Sequence, residues 1–141
     1  MTFFVPCDPP RSMGKNSKNA YGFKTKDGRY CARVVENPNA KEGKAFLASM
    51  FAPYAPQRPL EGPVSVSVRV TYPWPKSVGK KARIGGSRPK VTRPDVDGFL
   101  TGVLDVLAAL RFYGDDSQVY CVACSKFEGD ECGVSVAVEP A

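Results

Sequence analysis

The chain has 141 residues, 43% of them apolar and 24% charged, with a formal net charge of +6. This is the size and balance of one globular domain with enough core to fold without metal or disulfide staples. The sequence holds no histidine, which excludes Ser-His-Asp and Cys-His catalysis and any imidazole base.

Charge divides along the chain. Residues 1–94 carry eighteen Lys/Arg against five Asp/Glu, whereas residues 95–141 carry two against nine. The first part suits a polyanion, and the second concentrates carboxylates that such a partner repels unless a cation lies between. A basic surface beside an acidic cluster is what a metal-dependent enzyme acting on nucleic acid needs. The plainer alternative is that the two halves intermix in space and neutralise each other.

In chain order, Thr2 to Pro6 reads as a short strand, and the polar, basic stretch Pro9 to Lys26 as a loop or mobile arm. The opening residues Met1 to Pro6 have no basic leader and break at proline, unlike a secretory signal. No apolar run is long enough to span a bilayer. The expectation is a cytoplasmic protein with no membrane partner. Tyr30 to Val35 suits a strand or extended segment. Glu42 to Ala52 suits a helix, with Ala45, Leu47, Ala48, Phe51 and Ala52 at three-to-four spacing and prolines following. Pro63 to Tyr72 is the clearest strand, because Val64, Val66, Val68 and Val70 alternate with polar residues.

Residues 73–93 read as a basic loop carrying Lys76, Lys80, Lys81, Arg83, Arg88, Lys90 and Arg93 and no acid. Asp97 to Leu110 predicts a second helix with Val96, Phe99, Leu100, Val103, Leu107 and Leu110 on its apolar face. Arg111 to Asp116 is a turn pivoting at Gly114. Gln118 to Lys126 and Cys132 to Val138 are two strands, expected to form a hairpin through Gly129 and Asp130. The expected class is α+β: one small domain over residues 1–141, with a mixed or antiparallel sheet and two main helices.

Five cysteines (Cys7, Cys31, Cys121, Cys124, Cys132) form an odd set, so reduced thiols are the default. The lone C-x-x-C at Cys121 and Cys124 lies in a strand-like stretch, where positions three apart face opposite ways. Ordinary packing is the reading favoured over a redox or zinc pair.

The carboxylates carry the chemistry. Asp95 and Asp97 flank Val96 directly after Pro94; in an extended segment both carboxylates reach one point while Val96 turns inward. Asp97 also suits a helix N-cap. Asp115 and Asp116 lie in the turn before the next strand. Two or three carboxylates with water completing the shell suit Mg²⁺. Taken singly, Asp-x-Asp before a helix is more often a cap with a solvated acid, and Asp-Asp in a turn is more often turn chemistry. Their joint order is what distinguishes them: basic loop, Pro-Asp-x-Asp, amphipathic helix, Asp-Asp, then a strand ending in lysine.

That order resembles the RusA family of Holliday-junction resolvases, small Mg²⁺-dependent endonucleases. The stretch that carries the resemblance is Arg93-Pro94-Asp95-Val96-Asp97-Gly98-Phe99-Leu100-Thr101, Leu104-Asp105-Val106-Leu107, Phe112-Tyr113-Gly114-Asp115-Asp116-Ser117-Gln118-Val119 and Lys126. The family pattern, Pro-Asp-x-Asp-Asn-Leu-x-Lys, Asp-Ala-Leu, an aromatic, Asp-Asp-x-Gln-Val and a later lysine, fits residues 94–126 without a gap. The resemblance implies that Asp95, Asp97 and Asp116 are the metal-binding catalytic carboxylates and that Asp115 is a neighbour in support. Lys126 would contact the scissile phosphate, and the basic loop would grip DNA arms.

It further implies paired hydrolysis of a four-way junction, which has two-fold symmetry, by a homodimer. Two positions depart from the pattern: Gly98 stands for its Asn and Thr101 for its helix Lys. The helix face of Asp97 thus lacks a cation that could stabilise transition-state charge, and Lys90, Arg93 and Lys126 are the candidates to replace it. A nuclease for other branched DNA and a DNA-structure-binding protein that cuts weakly or not at all are the alternatives.

Overall fold

The alternating valines organise the molecule, as their period of two requires. The computed structural model describes residues 1–13, 18–36 and 38–141. Its elements in chain order are β1 (Thr2–Pro6), β2 (Lys18–Lys24), β3 (Tyr30–Glu36), α1 (Pro38–Phe51), β4 (Val64–Pro73), β5 (Ser87–Pro89), α2 (Val96–Ala109), β6 (Val119–Gly129) and β7 (Gly133–Pro140). Val64, Val66, Val68 and Val70 all point into one core and are buried. Alternate residues of a strand share a face, so Ser65, Ser67 and Arg69 line the opposite one. Val134, Val136 and Val138 of β7 extend the buried face. Leu47 and Phe51 of α1 and Phe99, Val103, Val106 and Leu107 of α2 cover it.

The main sheet has five strands in the order β1-β7-β4-β6-β5. β4 is central, antiparallel to β7 and parallel to β6. The sheet is therefore mixed, and the α+β expectation with two main helices holds. The parallel β4–β6 pair needs a crossover, which β5 and α2 supply.

Three local expectations are overturned. β6 and β7 do not form a hairpin, because β4 lies between them. An apolar strand at the middle of a sheet needs partners on both sides, and residues 130–132 carry the chain across the end of β4. The polar stretch read as a loop contains β2, which pairs with β3 in a separate two-stranded sheet. Its register comes from a turn through Gly28 (φ 89°) and the Thr25–Arg29 backbone bond, not from an apolar period. The part of that stretch at residues 14–17 lies outside the described residues. The basic loop contains a 3₁₀ turn (Lys80–Arg83) and the strand β5, antiparallel to the end of β6. Close pairing there needs Gly129, where an added Cβ would meet the Gly86 carbonyl oxygen at 2.6 Å. In addition, α1 begins at Pro38, a residue suited to a helix start, rather than at Glu42.

The helices are locked through the segment after β1. Gly102 of α2 lies so close to Met13 that a Cβ would fall 2.5 Å from the Met13 Cβ. Lys44 of α1 pairs with Asp105 of α2 at 3.0 Å. Phe3 of β1 stacks on Tyr54 and meets Phe51 edge-on at 5.2 Å, closing the far side of the core.

Candidate active site along the second helix

α2 starts at Val96, so Asp95 is its N-cap and Asp97 falls in its first turn. Asp95 is extended as expected, but Val96 and Asp97 are already helical, so Asp95 replaces Asp97 as the cap and Val96 is 39% exposed rather than turned inward. The Asp95 carbonyl accepts the Phe99 N–H at 3.2 Å, while its side chain caps nothing. Among the described residues, neither carboxylate takes part in an ion pair or a side-chain hydrogen bond. Both are exposed at the N-terminal end of the helix, where its dipole attracts negative charge.

Lys126 reaches this end from β6. Its Nζ donates to the Thr92 and Pro94 carbonyl oxygens, each at 2.6 Å. The Lys90 backbone N–H in turn donates to the Lys126 carbonyl at 2.9 Å. The lysine therefore fastens the segment that delivers Asp95. An ammonium has three donors, so one remains after these two bonds.

Asp116 lies in the turn that follows α2. It opens a 3₁₀ turn, Asp116–Gln118, whose N-cap is Asp115. The Asp115 carboxylate accepts the Ser117 N–H at 2.8 Å, and its bonds to Ser117 hold its carboxyl below the usual carboxylate range. Gln118 completes the box: its Oε1 accepts the Gly114 and Asp115 N–H groups at 2.7 and 2.9 Å. Its Nε2 donates to the Leu60 and Gly62 carbonyls at 3.1 and 2.8 Å, pinning the Asp-Asp turn to the entry of β4.

The structure adds Tyr113, to which the sequence gave no role beyond the motif. It is fully buried, and its hydroxyl donates to the Leu104 carbonyl at 3.1 Å. Burial, with the Asp116 and Asp105 carboxylates and a side-chain hydrogen bond to Asp116, pushes the phenol pKa well up. The phenol stays protonated, and its hydroxyl fastens the segment before the Asp-Asp turn to the middle of α2. The capping-box spacing Asp115-x-x-Gln118 is a signal the sequence did hold for this turn.

The two carboxylate groups are thus set apart. Leu104, where Tyr113 docks, lies seven residues after Asp97, roughly 10 Å further along the axis. The Asp97 side chain also leans toward the N-terminus, away from Asp116. Among the described residues, no group of three or more His, Cys, Asp or Glu side chains is gathered closely enough to hold a metal ion. Thr101, between the two groups, turns its hydroxyl onto the Asp97 carbonyl at 2.9 Å and brings no charge.

The basic residues fall into two sets. Arg88 pairs with the buried Glu128 at 2.6 Å, and Lys90 lies 3.8 Å from the same carboxylate and 2.8 Å from Thr92 Oγ1. Arg83 donates to the Val78 and Pro75 carbonyls and faces the Trp74 ring, on which Arg88 also lies. These three shape the loop. Lys76, Lys80, Lys81 and Arg93 are exposed and take part in no ion pair or side-chain hydrogen bond among the described residues. Cross-half pairs such as Arg88–Glu128 and Lys44–Asp105 neutralise some of the charge division without removing that free set.

All five cysteines are free thiols. Cys121 and Cys124 sit on opposite faces of β6, paired with Ser65 and Val68 respectively. Burial pushes the Cys124 thiol up to about 11, against the opposing pull of Lys126. This is the chemistry of a packing residue rather than a reactive pair.

A protein-family model described as endodeoxyribonuclease RusA matches residues 12–139. The protein YqaN of Bacillus subtilis (strain 168) is 40% identical over 105 residues, covering 70% of this chain and 72% of the relative. The match spans both helix-end carboxylate groups, the capped Asp-Asp turn and Lys126, and with them the chain belongs to the RusA family of endodeoxyribonucleases.

Proposed function

We propose that the protein is a Mg²⁺-dependent endonuclease that resolves four-way DNA junctions by paired phosphodiester hydrolysis. Asp95 and Asp97 are the primary carboxylates in this reading, and Asp116 is a further one. The observation that carries it is the unengaged pair at the start of α2, next to exposed cations, in a chain of an endodeoxyribonuclease family. Mg²⁺ takes one or two protein carboxylates and completes its shell with waters and substrate phosphate. Two exposed carboxylates without protein partners are such a donor set, so these residues fit the ion. When bound, it supplies Lewis-acid polarisation of the phosphate and lowers the pKa of water.

The chain's own residues perform the rest. Lys76, Lys80, Lys81 and Arg93 hold phosphates of the DNA arms, an attraction that weakens with salt. Lys126 is a positioning residue: it fixes the Thr92–Pro94 carbonyls and hence Asp95, with one donor left to face an incoming phosphate. Tyr113 anchors the segment before the Asp-Asp turn to α2, and Gln118 pins the turn to the entry of β4. A junction needs two matched nicks, which a two-fold homodimer supplies.

One observation favours a second reading. Thr101 leaves the helix face of Asp97 without a cation, which suits a protein that binds junctions and cuts them slowly. A nicking assay on a synthetic four-way junction, a flap and a linear duplex, with Mg²⁺ or with EDTA, separates the readings. Paired symmetric nicks in the junction alone, abolished by EDTA, support resolution. Preferential cutting of the flap moves the assignment to other branched DNA. Tight, salt-sensitive binding without nicks supports the binding protein.

A further inference from the structure

The segment from Trp74 to Arg93 holds no acid, and its exposed lysines suit phosphates. It also presents two large apolar side chains almost wholly to solvent: Ile84 is 85% and Val91 93% exposed. Exposure alone is ordinary for a single apolar residue. What sets Ile84 apart is its mounting.

Ile84 follows the 3₁₀ turn Lys80–Arg83 with helical backbone angles, φ −57° and ψ −30°. The Ala82 N–H donates to the Gly79 carbonyl at 3.1 Å, and the Gly86 N–H donates to the Arg83 carbonyl at 2.9 Å. The second bond closes a reverse turn with Ile84 and Gly85 at its centre. Gly86 leaves that turn at φ 74°, a left-handed angle that favours glycine. The turn is braced from outside as well. Arg83 donates to the Val78 and Pro75 carbonyls at 3.1 and 3.4 Å, and its guanidinium faces the Trp74 ring at 5.9 Å. The Trp74 indole N–H donates to Asp130 Oδ1 at 2.8 Å, and the Asp130 N–H donates to the Gly86 carbonyl at 2.8 Å. The loop is thereby tied to the connection between β6 and β7.

Polar bonds do all of this holding. Ile84 belongs neither to the core nor to the apolar residues packed against it among the described residues. The two glycines that follow place no side chain beside it, and a β-branched side chain is stiff at χ1, so it loses little freedom on insertion. A rigid apolar projection flanked by the free cations Lys80 and Lys81 matches the two chemistries of a DNA arm, charged outside and apolar between its stacked bases. Proteins that bend DNA insert such side chains between base steps and kink the duplex there.

We propose that Ile84 is a wedge that enters the base stack of one DNA arm and unstacks a step, while Lys80 and Lys81 hold the phosphates beside it. The proposal rests on the branched-DNA reading and adds to it a contact with bases. The turn joins β5 where Ser87 lies opposite Gly129, three residues or roughly 10 Å along β6 from Lys126. The opened step accordingly lies a few base pairs from the phosphate that is cut, rather than at it.

2-Aminopurine, whose fluorescence rises when the base is unstacked, reads the insertion directly. The full chain is bound to four-way junctions that carry the probe at successive positions along one arm. Ca²⁺ replaces Mg²⁺ to hold back cutting, and gel shifts on the same samples report binding. The wild type should brighten the probe several-fold at one position or at two neighbouring ones. Ile84→Ala should return it to the level of unbound DNA, and Ile84→Leu should keep most of the gain. Both variants should keep the wild-type unfolding midpoint, because the side chain is exposed in the free protein. Ile84→Ala should also weaken binding several-fold without changing the slope of log affinity against log salt, because no phosphate contact is lost. Bound DNA in which no position brightens, or an Ile84→Ala signal equal to that of the wild type, overturns the wedge and leaves the DNA reading standing. So does a signal that Val91→Ala abolishes and Ile84→Ala does not. A wild type that shifts no branched DNA overturns the DNA reading and the wedge with it.

Discussion

The two ends of α2 are built in opposite ways. At its start, Asp95 and Asp97 have no side-chain partners among the described residues, and order comes from the backbone: Lys126 grips two carbonyls and leaves the carboxylates open. From its middle onward several polar side chains are engaged. Asp105 pairs with Lys44, Tyr113 bonds the Leu104 carbonyl, and the Gln118 side chain makes four hydrogen bonds. The difference separates holding from being held. Carboxylates meant for an exchangeable cation must keep their oxygens free while their Cα positions are fixed by something else.

That contrast can be broken from either end. The largest effect should come from Asp95→Asn, which removes a free carboxylate: nicking should fall on the order of 10²–10³-fold with junction affinity unchanged or higher, measured by parallel nicking and gel-shift titrations. Next is Lys126→Met, which keeps the chain length and removes the donors. It should lower stability by about 1.5–3 kcal/mol in denaturant unfolding and lower the nicking rate as well. A lysine that only touched phosphate would leave the unfolding midpoint unmoved. Tyr113→Phe should cost about 1 kcal/mol and lower nicking several-fold, because the segment that carries the Asp-Asp turn loses its bond to the Leu104 carbonyl while the ring still fills the core. Replacing Lys80 and Lys81 by Ala should leave the rate on saturating DNA unchanged. It should flatten the slope of log affinity against log salt by about 0.9 for each phosphate no longer neutralised, whereas Arg88→Ala should act on stability through Glu128. Smallest of all, thiol alkylation near neutral pH should label Cys121 and Cys31 well before Cys124, as followed by mass spectrometry.

The carboxylates and the core were legible for different reasons. The valine period of β4 and the apolar face of α2 appear in the sequence because each records a local geometry repeated over many residues. The motif from Pro94 to Lys126 carried the family because its spacing is contiguous. What escaped was long-range. No residue between Gly129 and Gly133 announces that β7 joins the far side of β4, and β2, which lacks an apolar alternation, belongs to the separate sheet with β3. The docking of the segment before Asp116 onto α2 depends on Tyr113 reaching back to the Leu104 carbonyl. An aromatic before Asp-Asp reads simply as core. Likewise Lys126 read as a phosphate ligand, and only the fold shows its ammonium on two carbonyl oxygens.

The central claim is that the unengaged carboxylates at the start of α2 carry metal-dependent cutting. It is tested most directly by comparing the wild type with Asp97→Asn on a synthetic four-way junction across a Mg²⁺ titration, with binding measured on the same samples. Paired nicks that rise with Mg²⁺ are expected for the wild type, and undiminished binding without nicks for the variant. Equal cutting by both proteins, or cutting by the wild type that is indifferent to Mg²⁺ and EDTA, would contradict it.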